Sequence, residues 1–325
     1  MLIEPRSLDD PAVLELLGEL QLEYVRRYGG PDDNELHPAE FVAPRGTFLL
    51  ARDEGRAVGM GGWRTLDGSY PGIRPDDAEI KRMYVRDTAR RRGIAQRLLG
   101  ALERTATDAG RRRIVLETGT AQPEAIALYE ASGYTPMTER YGRYAHTEFA
   151  RYYSKVLPPL RLATSSDLPL LQDIERAAGV PFAEIGMTVV ADDEPPSIEE
   201  LQHYCDDDRA WVHLDSGNRP DAYLIVDVVD GYAHIEQVSV HPAHAHRGIG
   251  RMLIEHAAQW ARDRGHRALT LTTYVDVPWN GPYYERLGFR FVDDARLGPE
   301  LQEIRGAEAR HGLDRWPRAA MRREL

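Results

Sequence analysis

The chain has 325 residues, 42% of them hydrophobic and 29% charged, a balance that suits a globular protein with two cores of about 150 residues each. Its formal charge of −11 argues against a general nucleic-acid binder, whose footprint is basic. Cys205 is the only cysteine, which excludes an intrachain disulfide and makes a thiolate zinc site implausible. The start, MLIEPRSLDD, lacks a signal-like apolar core, and no apolar run reaches bilayer length, so the expectation is a cytoplasmic protein without a membrane partner.

In chain order, residues 2–8 read as a strand and Asp10–Tyr28 as a helix: Asp9 and Asp10 precede Pro11, and Val13, Leu16, Leu17 and Leu20 share one face. Gly29–Arg45, rich in Gly, Pro and Asp, reads mostly as loop. Phe48–Ala51 and Ala57–Arg64 flank a turn at Asp53–Gly55 and read as a hairpin. A polar loop, Asp67–Asp77, leads to a central strand, EIKRMYV, beginning at Glu79. RDTARRRGIA then opens into a helix with Ile94, Leu98, Leu102 and Ala106 on one stripe, ending at Gly110. A strand at Arg113–Thr118, a helix at Glu124–Ser132 and strands near Met137–Tyr144 and Arg151–Val156 complete this half. Paired prolines in Leu157-Pro158-Pro159-Leu160 mark a linker.

The second half restarts with Arg161–Ala163 and a helix over Asp167–Ala178. A long acidic insertion follows, with DDEPPS at 192–197 and CDDD at 205–208. Strands at Trp211–Leu214, Ala222–Val229 and His234–Val240 lead through VHPAHAHRGIG into a helix burying Ile249, Leu253, Ala257 and Trp260. The strand Ala268–Tyr274, the stretch DVPWNGPYYERLGF, a polar helix over Pro299–Arg310 and a strand near Trp316–Arg322 end the chain.

One offset of 155 residues relates Val85 to Val240, Gly93 to Gly248, Gly110 to Gly265, Tyr129 to Tyr284 and Gly133 to Gly288. The chain is therefore two copies of one domain, 1–157 and 158–325, each an α/β unit with a mixed, partly antiparallel (α+β) sheet. In each copy a strand ends in a short basic loop with a glycine that opens directly into a helix. Glycine lets the backbone come close, successive N–H groups form a concave nest, and the helix start adds partial positive charge. That junction suits the phosphate of a cofactor.

RRRGIA, Arg90–Ala95, resembles the acyl-CoA pyrophosphate signature of the GNAT N-acetyltransferases, Q/R-x-x-G-x-G/A. LETGTAQPEAIALYEASGY, residues 116–134, resembles the same superfamily's closing strand and helix, and VHPAHAHRGIG with TYVDVPWNGPYYERLGF repeats the pair. The resemblance, which covers nearly the whole chain, implies tandem GNAT acyl-CoA N-acyltransferase domains. It implies acetyl-CoA beside a splayed pair of central strands, its pantetheine on the backbone of Met83, Tyr84 and Val85 and of Val238, Ser239 and Val240. The loops Arg90, Arg91, Arg92, Gly93, Ile94 and Ala95, and His246, Arg247, Gly248, Ile249 and Gly250, would cradle the pyrophosphate. Position 245 is alanine where the first copy has Arg90, and Asn280 with Trp279 would shape the acyl or pantetheine pocket.

Acetyl transfer to an amine requires that the amine lose a proton, that the thioester oxygen be polarised and that the departing thiolate gain a proton. Tyr129 and Tyr284 match the family's acid near the sulfur; read without the family, each is a core aromatic on an amphipathic helix. Glu79 matches a strand glutamate used as base by some members, and its counterpart is His234, with Glu236 on the same strand face. With one cysteine, in an acidic loop, direct attack in a ternary complex is favoured over an acyl-cysteine relay. His241, His244 and His246 invite a metal, but no carboxylate or cysteine set completes a site, and none is assigned. The expected substrate is a small-molecule amine. Two alternatives stay open: a non-catalytic acyl-CoA-binding scaffold, and one catalytic half beside a structural one, acting on a protein or an aminoacyl-tRNA. A monomer with pseudo-dimeric halves and a homodimer are both compatible.

Overall fold

Local chemistry starts the first unit of the computed structural model, which describes all 325 residues. After β1 (Leu2–Pro5), the Asp10 carboxylate accepts the Ala12 N–H at 2.8 Å and Pro11 opens α1 (Pro11–Tyr28), which Gly29 ends at φ 81°. Val13, Leu16 and Leu20 are its buried stripe. The chain continues through β2 (Gly46–Asp53), β3 (Arg56–Thr65), β4 (Ala78–Val85), α2 (Ile94–Asp108), β5 (Arg113–Gly119), α3 (Pro123–Ala131), β6 (Thr135–Pro136) and β7 (Ala150–Val156). These form one sheet in the order β1-β2-β3-β4-β5-β7-β6, in which only β4 and β5 are parallel. Ile94, Leu98, Leu102 and Ala106 are buried, as their spacing requires. Met137–Tyr144 is not a strand. Met137, Tyr141 and Tyr144 instead pack over the sheet from a loop turned by Gly142 (φ 71°) and held by Arg140, which donates to the carbonyls of Ala145 and Thr147.

The second unit repeats that order: β8 (Leu160–Leu162), α4 (Leu168–Glu184), α5 (Thr188–Ala191), α6 (Ile198–Asp206), β9 (Ala210–Leu214), β10 (Pro220–Val229), β11 (Tyr232–Val240), α7 (Ile249–Asp263), β12 (Ala268–Tyr274), α8 (Gly281–Arg286), β13 (Arg290–Phe291), α9 (Pro299–Arg310) and β14 (Arg318–Glu324). Its sheet runs β8-β9-β10-β11-β12-β14-β13, with β11 and β12 the parallel pair. Contacts separate the units as Met1–Pro159 and Leu160–Leu325. Ile249, Leu253, Ala257 and Trp260 are buried on α7. Two expectations change here. The helix begun at Leu168 runs past Ala178 to Glu184, because Pro181 removes one ladder bond without ending it. Part of the acidic insertion is helical: Ser197 Oγ accepts the Glu200 N–H, Glu200 accepts the Ser197 N–H, and Leu201 is buried, which together start and anchor α6. No helix is long and apolar enough to cross a membrane.

Both sheets split at the same place. β4 pairs with β5 only at Ala78, Glu79 and Ile80, and just beyond, Arg82 takes φ 55° as the extra residue of a bulge against β3. In the second unit β11 pairs with β12 only at Ala233 and His234, with a register shift at Glu236. Past each bulge the central strand pairs on one side alone, and its other edge opens into a notch.

Candidate active site

The loop at each α2- or α7-type helix start has one backbone shape in both units. Arg91 and Gly93 have φ of 61° and 75°; His246 and Gly248 have 63° and 78°. A Cβ at Gly93 or Gly248 would meet nothing within 4 Å, so the sign of φ, rather than crowding, is what favours glycine. The first N–H groups of α2 and α7 have no partner within the helix, so the turn presents donors that an anion would satisfy. Arg90 faces inward. Its Nε donates to the Val85 carbonyl at 3.1 Å, and its guanidinium pairs with Glu23 at 2.6 Å and Asp87 at 2.7 Å, which pins the loop to α1. Arg92 pairs with Asp53 at 2.5 Å, while Arg91, His246 and Arg247 are exposed. Ile94 and Ile249 bury their side chains, Ala95 and Gly250 sit in the first helical turn, and so only their backbones could serve a phosphate.

Met83, Tyr84 and Val85 lie beyond the bulge of β4, and Val238, Ser239 and Val240 beyond that of β11, on the edges the splay opens. The side chain of Tyr84 is spoken for: its hydroxyl donates to Glu19 at 3.3 Å, and Ser239 is buried and accepts from Gln237 at 2.9 Å. Asn280 precedes α8 with its Oδ1 buried and unpartnered, an orphan acceptor of the kind an amide-bearing ligand would satisfy. The nests, the open strand edges and this orphan fit an acyl-CoA.

Beside the splay of the first unit lies a cavity of about 290 Å³. Its walls are Ile80, Lys81 and Arg82 of β4, Glu117, Thr118 and Gly119 of β5, Tyr24 and Tyr28 of α1, the loop over residues 30–34, and Gln122, Arg143, Tyr144 and Phe149. Glu79, the strand carboxylate singled out by sequence, is buried with both oxygens taken, one by Lys81 at 2.7 Å and one by Arg64 at 3.0 Å. Glu117, on the neighbouring strand, carries no hydrogen bond or ion pair and lines the cavity. Burial pushes its carboxyl up to about 7; Lys81 opposes that and Glu79 adds to it. Tyr129 is buried, and burial followed by the nearby Tyr24 raises its hydroxyl well above the usual tyrosine range.

The second unit arranges other groups at the same places. His234 is buried, its Nδ1 2.9 Å from Thr270 Oγ1 and its Nε2 3.7 Å from Glu236, and burial pushes it down to about 4. Glu236 is pushed up to about 7 by the surrounding protein, then by Asp227 and Glu308, although solvent reaches 43% of its side chain and screens part of that push. Glu175 on α4 is likewise raised to about 7 by burial, with the Tyr223 hydroxyl donating to it. Tyr284 is buried, and its hydroxyl is raised by burial and then by Tyr283. Thr272, the counterpart of Glu117, donates to Glu308 of α9, and Arg318 of β14 donates to both, at 3.0 and 2.7 Å. Asp230 holds α9 in place, accepting the N–H groups of Glu300 and Leu301 at its start.

Sequence reasoning missed Glu117, though its signal was available: an ionisable residue closing the apolar run IVL on the strand parallel to that of Glu79. It also missed Arg318 and Glu308, whose meeting with Thr272 depends on how α9 docks. Of the three histidines weighed for metal, His241 accepts the Ala243 N–H, His244 pairs with buried Asp221 at 2.8 Å, and His246 is exposed. His213, unremarked in the sequence, holds the other Asp221 oxygen at 2.5 Å.

A family model described as the Acetyltransferase (GNAT) family matches residues 14–134 and, a second time, residues 173–289. The IAA acetyltransferase of Azospirillum brasilense is 36% identical over 124 residues, 38% of this chain and 76% of that protein. An uncharacterized N-acetyltransferase of Escherichia coli, YjgM, is 30% identical over 146 residues, 43% of this chain and 84% of its own. Among solved structures, a PaiA N-acetyltransferase from Thermoplasma acidophilum in complex with coenzyme A aligns at 13% identity and a TM-score of 0.39, covering 51% of this chain and 98% of that one. Each relative thus spans about one repeat.

Proposed function

Given that this chain belongs to the Acetyltransferase (GNAT) family and is an N-acetyltransferase, we propose that it acetylates the amine of a small molecule from acetyl-CoA, with the chemistry in the first unit. Acetyl-CoA, when bound, supplies a thioester whose carbonyl carbon the amine attacks and whose sulfur leaves. The backbone from Arg91 to Ala95 would hold its pyrophosphate, and the edge of β4 at Met83–Val85 its pantetheine arm. Glu117 accepts a proton from the acceptor ammonium, which leaves a lone pair on the nitrogen; a carboxyl near 7 is matched to that task at neutral pH. Tyr129 keeps its proton at that pH and holds it ready for the departing sulfur. Glu79 is the positioning residue that fixes Lys81 beside Glu117. Attack is direct, since Cys205 sits on α6 with its thiol pushed up to about 11 by burial and then by Asp167.

The observation that carries this reading is the unpaired Glu117 carboxyl in the cavity wall. The second unit keeps the cofactor backbone but changes the counterpart groups: His234 near 4 is too weak a base at neutral pH, and the place of Glu117 is a bonded threonine. Of its two carboxyls raised to about 7, Glu175 is engaged by the Tyr223 hydroxyl and Glu236 is open to solvent at 43% of its side chain. The test is the pH dependence of kcat/KM for an accepted amine. In wild type it rises through about 7, and Glu117→Gln removes that limb and lowers the plateau by roughly 10²–10³-fold. Glu236→Gln leaves the profile intact. A profile unchanged by Glu117→Gln would dismiss the assignment, and coenzyme A binding without turnover of any amine would favour the scaffold alternative.

A further inference from the structure

The acceptor cavity of the first unit has a ring wall. Tyr24 and Tyr28 lie 6.3 Å apart by centroids, Tyr28 and Phe149 5.4 Å, and Phe149 and Tyr144 6.2 Å. Two of the hydroxyls are engaged by neighbouring lining residues, Tyr28 donating to Gln122 at 3.3 Å and Tyr144 to Asp32 at 2.9 Å, so these rings are fixed by groups other than a ligand. Gly119 makes the wall possible, because any Cβ there would collide with the Tyr28 hydroxyl. Three of the lining cations are already paired with carboxylates: Arg82 with Asp32, its Nε left buried without a partner, Arg143 with Asp33 at 3.4 Å near the surface, and Lys81 with Glu79. What remains among the charged groups is one carboxylate, Glu117, in a cavity that these rings also line.

The second unit shows what such a place holds. By strand register, Gly119 pairs with Ala150 across β5 and β7, and its counterpart Tyr274 pairs with Arg318 across β12 and β14. The Arg318 guanidinium carbon lies 4.7 Å from the Tyr274 ring centroid and its nitrogen 2.7 Å from Glu308, while Phe182 packs on the same ring at 5.9 Å. This copy therefore fills its own site with one of its side chains: a cation over an aromatic face, bonded to a carboxylate. The first unit has the rings and the carboxylate, with alanine at position 150 in place of that arginine.

On the acetyltransferase reading above, we propose that the acceptor of the first unit is a monocationic amine on a compact aromatic or apolar body, its ammonium between Glu117 and the rings of Tyr28 and Phe149. A polyamine is disfavoured, because a second positive charge would find only Asp32 and Asp33, each already paired with an arginine. A carboxylate-bearing acceptor is disfavoured for the converse reason, since the cationic side chains are engaged and Glu117 would repel it.

Calorimetry on the full chain, with and without coenzyme A, tests this using 2-phenylethylamine, its acid analogue 3-phenylpropionate, and spermidine. The amine is expected to bind at least tenfold more tightly than either of the others. Phe149→Ala, at a position 41% exposed and so tolerant of truncation, should weaken it about tenfold while leaving coenzyme A affinity unchanged. Tyr28→Leu should act in the same direction, with near-ultraviolet circular dichroism reporting that the unit is folded. Tighter binding of spermidine or of the acid, or indifference to both ring substitutions, would overturn the proposal even where coenzyme A binds normally. Absence of coenzyme A binding would instead count against the acetyltransferase assignment, and the amine's ranking over its analogues would still be scored by itself.

Discussion

The two units keep their backbones and part company in their side chains. Both have the same strand order, a bulge within about one residue of the same point of the central strand, and closely similar pairs of positive φ values before the following helix. They differ where an acceptor would sit: Glu117 against Thr272, Gly119 against Tyr274, and Ala150 against Arg318. A phosphate nest and an open strand edge are made of main-chain groups, so they persist through substitution as long as the fold does. Acid–base chemistry is made of individual side chains and is lost one residue at a time.

The largest expected effect tests whether the shared backbone still means two cofactor sites. In Gly93→Trp and Gly248→Trp a bulky residue must take φ above 70° and project beside the nest. Acetyl-CoA titration should show two sites in wild type and one in each variant, with turnover abolished by the first substitution and kept by the second. A single site in wild type would reduce the likeness of the two nests to shape alone. Next in size are Tyr129→Phe and Tyr284→Phe. The first should lower kcat roughly 10- to 100-fold with little change in KM, the second should leave both alone, and equal losses would erase the functional contrast.

The smallest effect is thermodynamic. A carboxyl raised to about 7 in the folded chain binds more protons there than when unfolded between about pH 4.5 and 7, so its contribution to stability is fully present below that window and is lost as pH rises through it. Glu117→Gln should therefore leave stability unchanged near pH 4 and raise it at pH 8 by roughly 1–3 kcal/mol, read as a higher Tm, while activity falls. Glu236→Gln should give a smaller gain, because 43% of that side chain meets solvent.

Much of the fold was legible because periodicity reports burial directly: the stripes Ile94–Ala106 and Ile249–Trp260 face the sheets as spaced. The two glycine turns were legible because a glycine between a strand and a helix marks a positive φ, which Gly93 and Gly248 both take. Met137–Tyr144 misled because tyrosines packed down from a loop mimic the alternation of a strand. The acidic tract hid α6 because composition drew attention away from the Ser197–Glu200 capping pair. At the candidate site, Glu79 was prominent by its place in a motif, but its two cations come from its own strand and the next, and only register shows both oxygens occupied. The contact of Glu308 with Thr272 joins residues 36 apart through the docking of a whole helix, and no local pattern encodes it.

Arg82 has one further consequence. Its left-handed backbone makes the bulge that opens the cofactor edge, and its guanidinium is held by Asp32 and by the Asn34 carbonyl at 2.6 Å, from the loop that walls the acceptor cavity. One side chain thus ties together the places proposed for both ligands. If an entering amine shifts that loop, the strand edge would shift with it, and by thermodynamic reciprocity any change in one ligand's affinity would be matched by an equal factor in the other's. A weakened hold at Asp32 should then show itself as two substrates that no longer sense each other, before either has lost its own place to bind.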